Sequence, residues 1–142
     1  MATITATLQT GTAVRLSTER HQWTADEPPD LGGTDTGPNP YELLLGSLAA
    51  CTCITLALYC RHKGIELRAV EATYDHDRVH ARDCEECDDE RTGFIDRIRS
   101  RVRIDALVDD AQRDRLAQVV TRCPVHKTLE NPIAISDEVT FV

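Results

Sequence analysis

The pattern of hydrophobic and polar positions predicts that the chain begins with short antiparallel strands. Residues 2–9 and 12–18 alternate β-branched residues with small or polar ones, and Thr10-Gly11 separates the two segments. This arrangement is typical of a β-hairpin, and a third short strand is expected around residues 20–24. Residues 25–40 are rich in proline, glycine and aspartate, which excludes a helix or strand interior there. Long loops of this kind are often functional.

A long helix is predicted to follow this loop. Asn39 suits the N-cap, Pro40 the first helical position and Glu42 the third, which together form a reciprocal capping pattern. The pattern continues to Lys63 through a last turn of basic residues. Gly64 is a typical terminator after such a turn. The helix should be roughly 36 Å long at 1.5 Å per residue.

The middle of this helix, residues 43–60, contains no charged residue. That stretch reaches the minimal length of a membrane span. It is only weakly hydrophobic, however, because many of its residues are small or carry a hydroxyl or thiol. We therefore expect a helix that is buried on all sides in a soluble protein. A single chain of this size has little material to surround such a helix, so a subunit interface is expected.

The rest of the chain alternates again and completes an α+β pattern. Residues 65–80 and 93–106 should pair as a long antiparallel hairpin whose tip is the acidic segment 81–92. Residues 109–123 open with acids and carry apolar residues at helical spacing, which predicts a second helix. A final strand is expected over residues 133–142. The order of elements indicates an α+β fold in a single domain, residues 1–142.

Composition narrows the possible partners and the compartment. The formal net charge of −8 removes the basic surface that nucleic acid or an anionic membrane would attract. The N-terminus has no signal-peptide pattern, which predicts a cytoplasmic protein. The chain has six cysteines. In the cytosol these are better explained as buried, metal-binding or catalytic thiols than as a disulfide framework.

One cysteine lies in the segment "TRCPVHKTLE", residues 121–130. Pro124 excludes Cys123 from a helical conformation and suits the first position of a new helix, so Cys123 becomes the N-cap. A thiol at a helix N-terminus, with His126 and Lys127 in the next turn, can have a lowered pKa. The alternative is a buried cysteine that acts as a small hydrophobic residue at a helix break.

Three more cysteines lie on the central helix. At about 100° per residue, Cys51 and Cys53 lie about 200° apart, whereas Cys53 and Cys60 share nearly one face. Only one face can point toward a given site. The periodicity leaves open which face is the core.

Two motifs in this chain resemble those of the OsmC/Ohr family of osmotically inducible and organic hydroperoxide resistance proteins. They are "GPNPYELLLGSLAACTCITL" and, much later, "CPVHKTL". The upstream "RHQWTADEPPDLGGTDTGPNP" resembles one branch of that family. The resemblance implies an α+β fold in an intertwined homodimer, with antiparallel strands wrapped around long central helices. It also implies that Cys51 and Cys123 work together.

The chemistry implied by the resemblance is peroxiredoxin-like reduction of a peroxide by two cysteines, in an oxidative-stress role. Cys51, as the peroxidatic thiolate, attacks an organic hydroperoxide and becomes a sulfenic acid. This acid condenses with Cys123, the resolving cysteine, to form a disulfide. A dithiol reductant then restores both thiols. No cofactor is required.

In the family, an arginine and a glutamate activate the peroxidatic cysteine. The family glutamate directly follows Asn-Pro, where this chain has Tyr41, and Glu42 comes one residue later. His21 and the acids after it are alternative polar partners of the site; a hydrogen-bonded surface group is the other interpretation of that histidine. The full set of candidate activating or polar residues is Arg15, Arg20, His21, Asp26, Glu27, Glu42 and His126.

The acidic segment suggests a second possibility. Cys84 and Cys87 have the spacing of half a zinc site, and His80 or His76 could supply a third ligand. The alternative is a solvated acidic loop. A second function therefore stands beside the peroxidase: a non-catalytic, ligand- or metal-binding OsmC-like protein that uses the dimer pocket or this loop.

Overall fold

The computed structural model describes residues 1–84 and 92–142. They form two compact units, residues 1–46 and residues 47–142, which we call the N-terminal and the C-terminal unit. The long central helix contributes its first residues to the N-terminal unit and the remainder to the C-terminal unit.

A three-stranded antiparallel sheet opens the N-terminal unit. Its strands are β1 (Thr5–Leu8), β2 (Val14–Ser17) and β3 (Gln22–Ala25), in the order β1-β2-β3. The predicted antiparallel start is confirmed, but the first turn is wider than the two residues expected. It is closed by a hydrogen bond from the backbone N–H of Gln9 to the carbonyl of Ala13, 2.8 Å long.

The loop after β3 is organised around one buried carboxylate. Asp26 is 2% exposed. Its carboxylate accepts hydrogen bonds from the hydroxyls of Thr12, Thr34 and Thr36, at 2.6, 2.8 and 2.8 Å. It also accepts from the backbone N–H groups of Glu27, Thr34 and Thr36. The hydrogen bonds to Thr12 and the other hydroxyls hold the pKa of Asp26 well below its usual value.

Two glycines let this loop fold back on the chain. A Cβ atom at Gly33 would overlap the carbonyl oxygen of Glu27, and one at Gly37 would overlap the carbonyl oxygen of Thr24. Both approaches require a residue without a side chain. The glycine-rich sequence of the loop is therefore explained by backbone contacts within the N-terminal unit.

The predicted helix is confirmed at both ends and runs over Pro40–Lys63 as α1. Asn39 accepts from the backbone N–H of Glu42, and the carboxylate of Glu42 accepts from the backbone N–H of Asn39. Gly64 has a φ of 66°. The next N–H, that of Ile65, donates to the carbonyl of Cys60 at 2.9 Å, as in a Schellman terminus.

In the single chain the helix is buried on one face, and its burial on all sides, which was expected to involve a subunit interface, stays a prediction. Leu48, Thr52, Leu56 and Cys60 form the buried stripe, at i, i+4 spacing. On the other side Ile54 is 58% exposed and Leu58 is 54% exposed. By length and composition alone, α1 could also cross a membrane.

A long hairpin and two shorter helices complete the C-terminal unit. The strands β4 (Leu67–His80) and β5 (Phe94–Ala106) pair antiparallel along their whole length, as predicted. The helix α2 covers Asp110–Val120 and α3 covers Pro124–Glu130. A short 3₁₀ turn, Ala81–Asp83, follows β4.

The core of the C-terminal unit lies where α1 meets α2. Leu56 and Cys60 of α1 pack with Leu116 and Val119 of α2, and hydrophobic residues of the hairpin close around them. Asp109 begins α2 with a capping box that it shares with Gln112. The second helix was thus predicted correctly, although it ends at Val120.

The predicted final strand was wrong. Residues 132–142 form no regular secondary structure, and their hydrophobic side chains are exposed. A strand needs a partner for its backbone hydrogen bonds, and this segment pairs with none of the five strands in the described part of the chain.

We predict that Asp26→Asn destabilises the protein most at neutral pH. A carboxyl group whose pKa is lowered by folding contributes stability above its unfolded value, near 3.8, and loses it as the pH falls. The difference in melting temperature between wild type and variant should therefore be constant from pH 7 to about 5 and narrow below about pH 4. Thermal unfolding at several pH values measures it. The exposed Asp30→Asn is the matched control, and a difference that stayed constant down to pH 2.5 would contradict this role.

Candidate active site

The cysteine before proline lies where the sequence predicted. Cys123 is the N-cap of α3, in an extended conformation with φ −61° and ψ 137°, and Pro124 occupies the first turn. Its Sγ atom accepts a hydrogen bond from the backbone N–H of His126 at 3.3 Å. The side chain is completely buried. Cys123 is therefore both the N-cap of α3 and a buried cysteine, so the two interpretations of this residue are both correct.

Cys51 of α1 is the second thiol of the site. It lies close enough to Cys123 to raise the pKa of that thiol, and both cysteines are free. Cys51 is only partly buried, as is Cys53, whereas Cys60 belongs to the core. This settles which face of α1 is the core, and it leaves Cys51 as the helix thiol beside Cys123.

The electrostatics of Cys123 differ from the sequence prediction. Burial raises the pKa of the Cys123 thiol, and the nearby Cys51 adds to this. The N–H of His126, which donates a hydrogen bond to the sulfur, opposes the shift, and the nearby hydroxyl of Thr52 opposes it as well. The net direction is upward, so the lowered pKa expected for this N-cap was wrong. Desolvation outweighs the helix terminus because no part of the side chain reaches water.

Sequence reasoning missed two polar residues at the site. Thr52 is completely buried in α1, and its hydroxyl lies 2.8 Å from the hydroxyl of Tyr74 on β4. Their separation in sequence hides the contact. The one available signal was the position of Thr52, four residues from both Leu48 and Leu56 on the helix face that became the core.

A pocket of about 580 Å³ lies in the C-terminal unit beside these residues. Its lining includes Leu48, one helical turn before Cys51, Tyr74, which bonds to Thr52, and His126, which bonds to Cys123. Apolar residues of the hairpin and α3 supply other walls, and Asp96, Ser100 and Glu130 make part of it polar. The imidazole of His126 is held by Glu130, with Nε2 and Oε1 2.9 Å apart.

The other candidate activating residues belong to the N-terminal unit. Arg15 is exposed on β2, and Arg20 and His21 are exposed at the turn before β3. Asp26 directs its carboxylate to the loop threonines, and Glu42 uses its carboxylate for the cap of α1. Glu27 is partly buried, and its carbonyl accepts from the N–H of Asp35. Their action on Cys51 stays a prediction.

The proposed zinc ligands are only partly within the described residues. Cys87 lies outside them. Cys84 is buried and disulfide-bonded. His80 accepts hydrogen bonds at Nδ1 from Arg82, and His76 lies 3.0 Å from Asp96. Residues 1–84 and 92–142 contain no group of three potential ligands placed to hold a metal, and the zinc site stays a prediction.

Comparison with known proteins identifies the fold. The OsmC-like protein from Mycoplasma pneumoniae is 25% identical, with a TM-score of 0.70 over 92% of this chain and 87% of that one. An organic hydroperoxide resistance protein, OsmC, from Legionella pneumophila is 19% identical, with a TM-score of 0.62 over 91% and 88%. The organic hydroperoxide resistance protein OhrB of Bacillus subtilis is 21% identical, with a TM-score of 0.56 over 90% and 89%.

No curated protein matches the sequence significantly. A profile of the family described as OsmC-like protein does match it, over residues 33–137. This range covers most of the chain and includes Cys51 and Cys123. The α+β fold inferred from the motifs is confirmed, and the chain belongs to the OsmC-like protein family.

Proposed function

We propose that the protein is a cytoplasmic thiol peroxidase that reduces organic hydroperoxides with Cys51 and Cys123. The observation that carries the proposal is the proximity of these two free thiols, one partly buried and the other completely buried, which is close enough for Cys51 to raise the pKa of Cys123. Two structurally similar proteins, from Legionella pneumophila and Bacillus subtilis, are described as organic hydroperoxide resistance proteins.

Cys51 is the peroxidatic cysteine in this proposal. Its thiolate attacks the terminal oxygen of the hydroperoxide, the O–O bond breaks, and the alcohol leaves after taking up a proton. Cys51 is then a sulfenic acid. The raised pKa of Cys123 favours this division of roles, because a thiol that stays protonated is a poor first nucleophile.

Cys123 resolves the sulfenic acid. Its sulfur attacks that of Cys51, a water molecule leaves with the hydroxyl and the thiol proton, and a disulfide joins α1 to the start of α3. The existing proximity means that neither element has to move far. A dithiol reductant then returns both residues to thiols by two exchange steps.

The pocket lined by Tyr74 and His126 has room for the organic part of a hydroperoxide. Leu48, Ile98 and Leu129 give it aliphatic walls beside the polar Asp96, Ser100 and Glu130, and its volume of about 580 Å³ is within the range of small-molecule sites.

Adding one equivalent of an organic hydroperoxide to the reduced protein should produce a Cys51–Cys123 disulfide. Peptide mapping by mass spectrometry identifies the bridge, and stopped-flow loss of peroxide gives the rate. Cys51→Ser and Cys123→Ser should each lower steady-state turnover roughly thousandfold or more, because each removes a covalent step.

Cys53→Ser is the matched control, since Cys53 is also a partly buried thiol of α1, and it should retain activity. A chelator should have no effect. Peroxide consumption by the Cys51→Ser variant, or oxidation confined to Cys84 and Cys87 in the wild type, would refute the proposal. Bound zinc in the purified protein would then favour the non-catalytic alternative.

We also propose that the working unit is a homodimer in which a second copy covers the outer face of α1. Ala50, Ile54 and Leu58 lie exposed along this face, at helical spacing. Contiguous apolar surface of this kind is typical of subunit interfaces. Gly46, on the same helix, has open space around it in which another backbone could approach.

Light scattering coupled to size-exclusion chromatography should therefore give twice the mass of one chain. Ile54→Glu should shift the protein toward the monomer, because it would bury a charge at the interface. Ala117→Glu, on the exposed side of α2, is the control and should stay dimeric. A monomeric wild-type protein at micromolar concentration would refute this assembly.

A further inference from the structure

Thr52 is a polar residue in an otherwise apolar buried stripe. It has no exposed surface, and a buried hydroxyl without a hydrogen-bond partner is costly. Its hydroxyl lies 2.8 Å from that of Tyr74, and it is close enough to Cys123 to lower the pKa of that thiol. Tyr74 and His126, whose N–H bonds to Cys123, line the same pocket. The side chain is thus built into the site, one residue after Cys51.

The number of available protons determines how Thr52 can interact with Cys123 when Cys123 is a thiolate. A thiolate can only accept, and Thr52 has a single hydroxyl proton to donate. A hydroxyl that stabilises this thiolate has to donate to the sulfur, which leaves the oxygen of Thr52 to accept the proton of Tyr74. The result is a chain of donors, Tyr74 to Thr52 to Cys123, that ends on the sulfur. The N–H of His126 is a second donor to the same atom.

The two sulfurs also differ in accessibility. Cys123 is completely buried, whereas Cys51 is partly exposed. An incoming thiolate must approach a disulfide along the S–S axis at the sulfur it attacks, and the other sulfur leaves. Attack at Cys51 is the accessible route, and this makes Cys123 the leaving group.

We propose that Thr52 and Tyr74 are positioning residues that stabilise the Cys123 thiolate as it leaves when a dithiol reductant opens the disulfide. The reductant thiolate forms a bond to the sulfur of Cys51, the Cys51–Cys123 bond breaks, and the electron pair stays on Cys123. The second thiol of the reductant then releases Cys51 and closes the reductant's own disulfide. This role rests on the proposed two-cysteine cycle.

The test begins with a disulfide formed by diamide, so that the reductive step is measured without any peroxide chemistry. Wild type, Thr52→Val, Thr52→Ser and Tyr74→Phe are oxidised and mixed with excess dithiothreitol, and the thiols are counted over time after acid quenching. Thr55→Val is the matched control, because Thr55 is a partly buried threonine on the same helix.

Thr52→Val should slow reduction about three- to tenfold, because a leaving thiolate of higher pKa departs more slowly. Thr52→Ser should restore the wild-type rate, since it keeps the hydroxyl. Tyr74→Phe should slow reduction about twofold, as it acts through Thr52. Thr55→Val should match the wild type.

A second readout separates stabilisation of the thiolate from damage to the fold. In the Cys51→Ser background, the pH profile of Cys123 alkylation, followed by mass spectrometry, reports the pKa of that thiol. Thr52→Val should move the midpoint upward by about one unit, the size expected for losing a hydrogen bond to a charged group. Thr52→Ser should leave it in place.

The outcomes distinguish this inference from the peroxidase itself. If hydroperoxide fails to form the bridge but the diamide-formed disulfide is reduced more slowly in Thr52→Val, the peroxidase proposal is refuted and the role of Thr52 is supported. Equal rates for Thr52→Val and Thr55→Val would overturn the role of Thr52. A mixed disulfide trapped on Cys123 rather than Cys51, or failure of diamide to join the pair, would overturn the proposed direction of exchange.

Discussion

The C-terminal unit depends on one buried stripe of α1, formed by Leu48, Thr52, Leu56 and Cys60. Leu56 and Cys60, in the C-terminal half of the stripe, pack against α2 and give the unit its hydrophobic core. Full burial of a leucine such as Leu56 contributes about 1.5–3 kcal/mol. Because α3 follows α2 after a short turn, the same packing brings the start of α3 to α1. The position of Cys123 is therefore a consequence of the core.

At Thr52, in the N-terminal half of the stripe, the requirement for apolar packing conflicts with the presence of a polar hydroxyl. A leucine in place of Thr52 would avoid the cost of burying a hydroxyl. Thr52 is tolerated because its hydroxyl is hydrogen-bonded to that of Tyr74. The same burial that raises the pKa of Cys123 removes the water that would otherwise solvate its thiolate. The donors directed at this sulfur replace that water.

Local features of the fold could be predicted from the sequence, because their causes lie within a few residues. Asn39 and Glu42 cap α1 through each other, and Gly64 ends it. Pro124 fixes Cys123 outside the helix, so its N-cap position was also predictable. The resemblance, rather than periodicity, linked Cys51 to Cys123, and the structure brings their side chains close together.

Features that depend on distant partners could not be predicted. Asp26 was a candidate polar residue of the site because it follows His21 in the motif that resembles one branch of the family, and nothing in the sequence indicates that its hydrogen-bond partners include a threonine 14 residues earlier in the chain. The contact between Thr52 and Tyr74 spans 22 residues. The pKa of Cys123 was misjudged for the same reason, since the extent of its burial depends on how α1 packs and cannot be read from the local motif.

The final segment illustrates what alternation cannot establish. Ile133, Ile135, Val139 and Phe141 alternate as in a strand, yet they are exposed by 53%, 81%, 73% and 93%. Alternation identifies the face that would be buried, but it does not provide a neighbouring strand. The hairpin of β4 and β5 is a two-stranded sheet, and it has the packed face that such a sheet needs, because its hydrophobic residues lie against the core formed by α1 and α2. The final segment and the outer face of α1, by contrast, expose hydrophobic side chains to solvent. A second copy of the chain that covered the outer face of α1 would bury such side chains, which is the reason for the proposed homodimer.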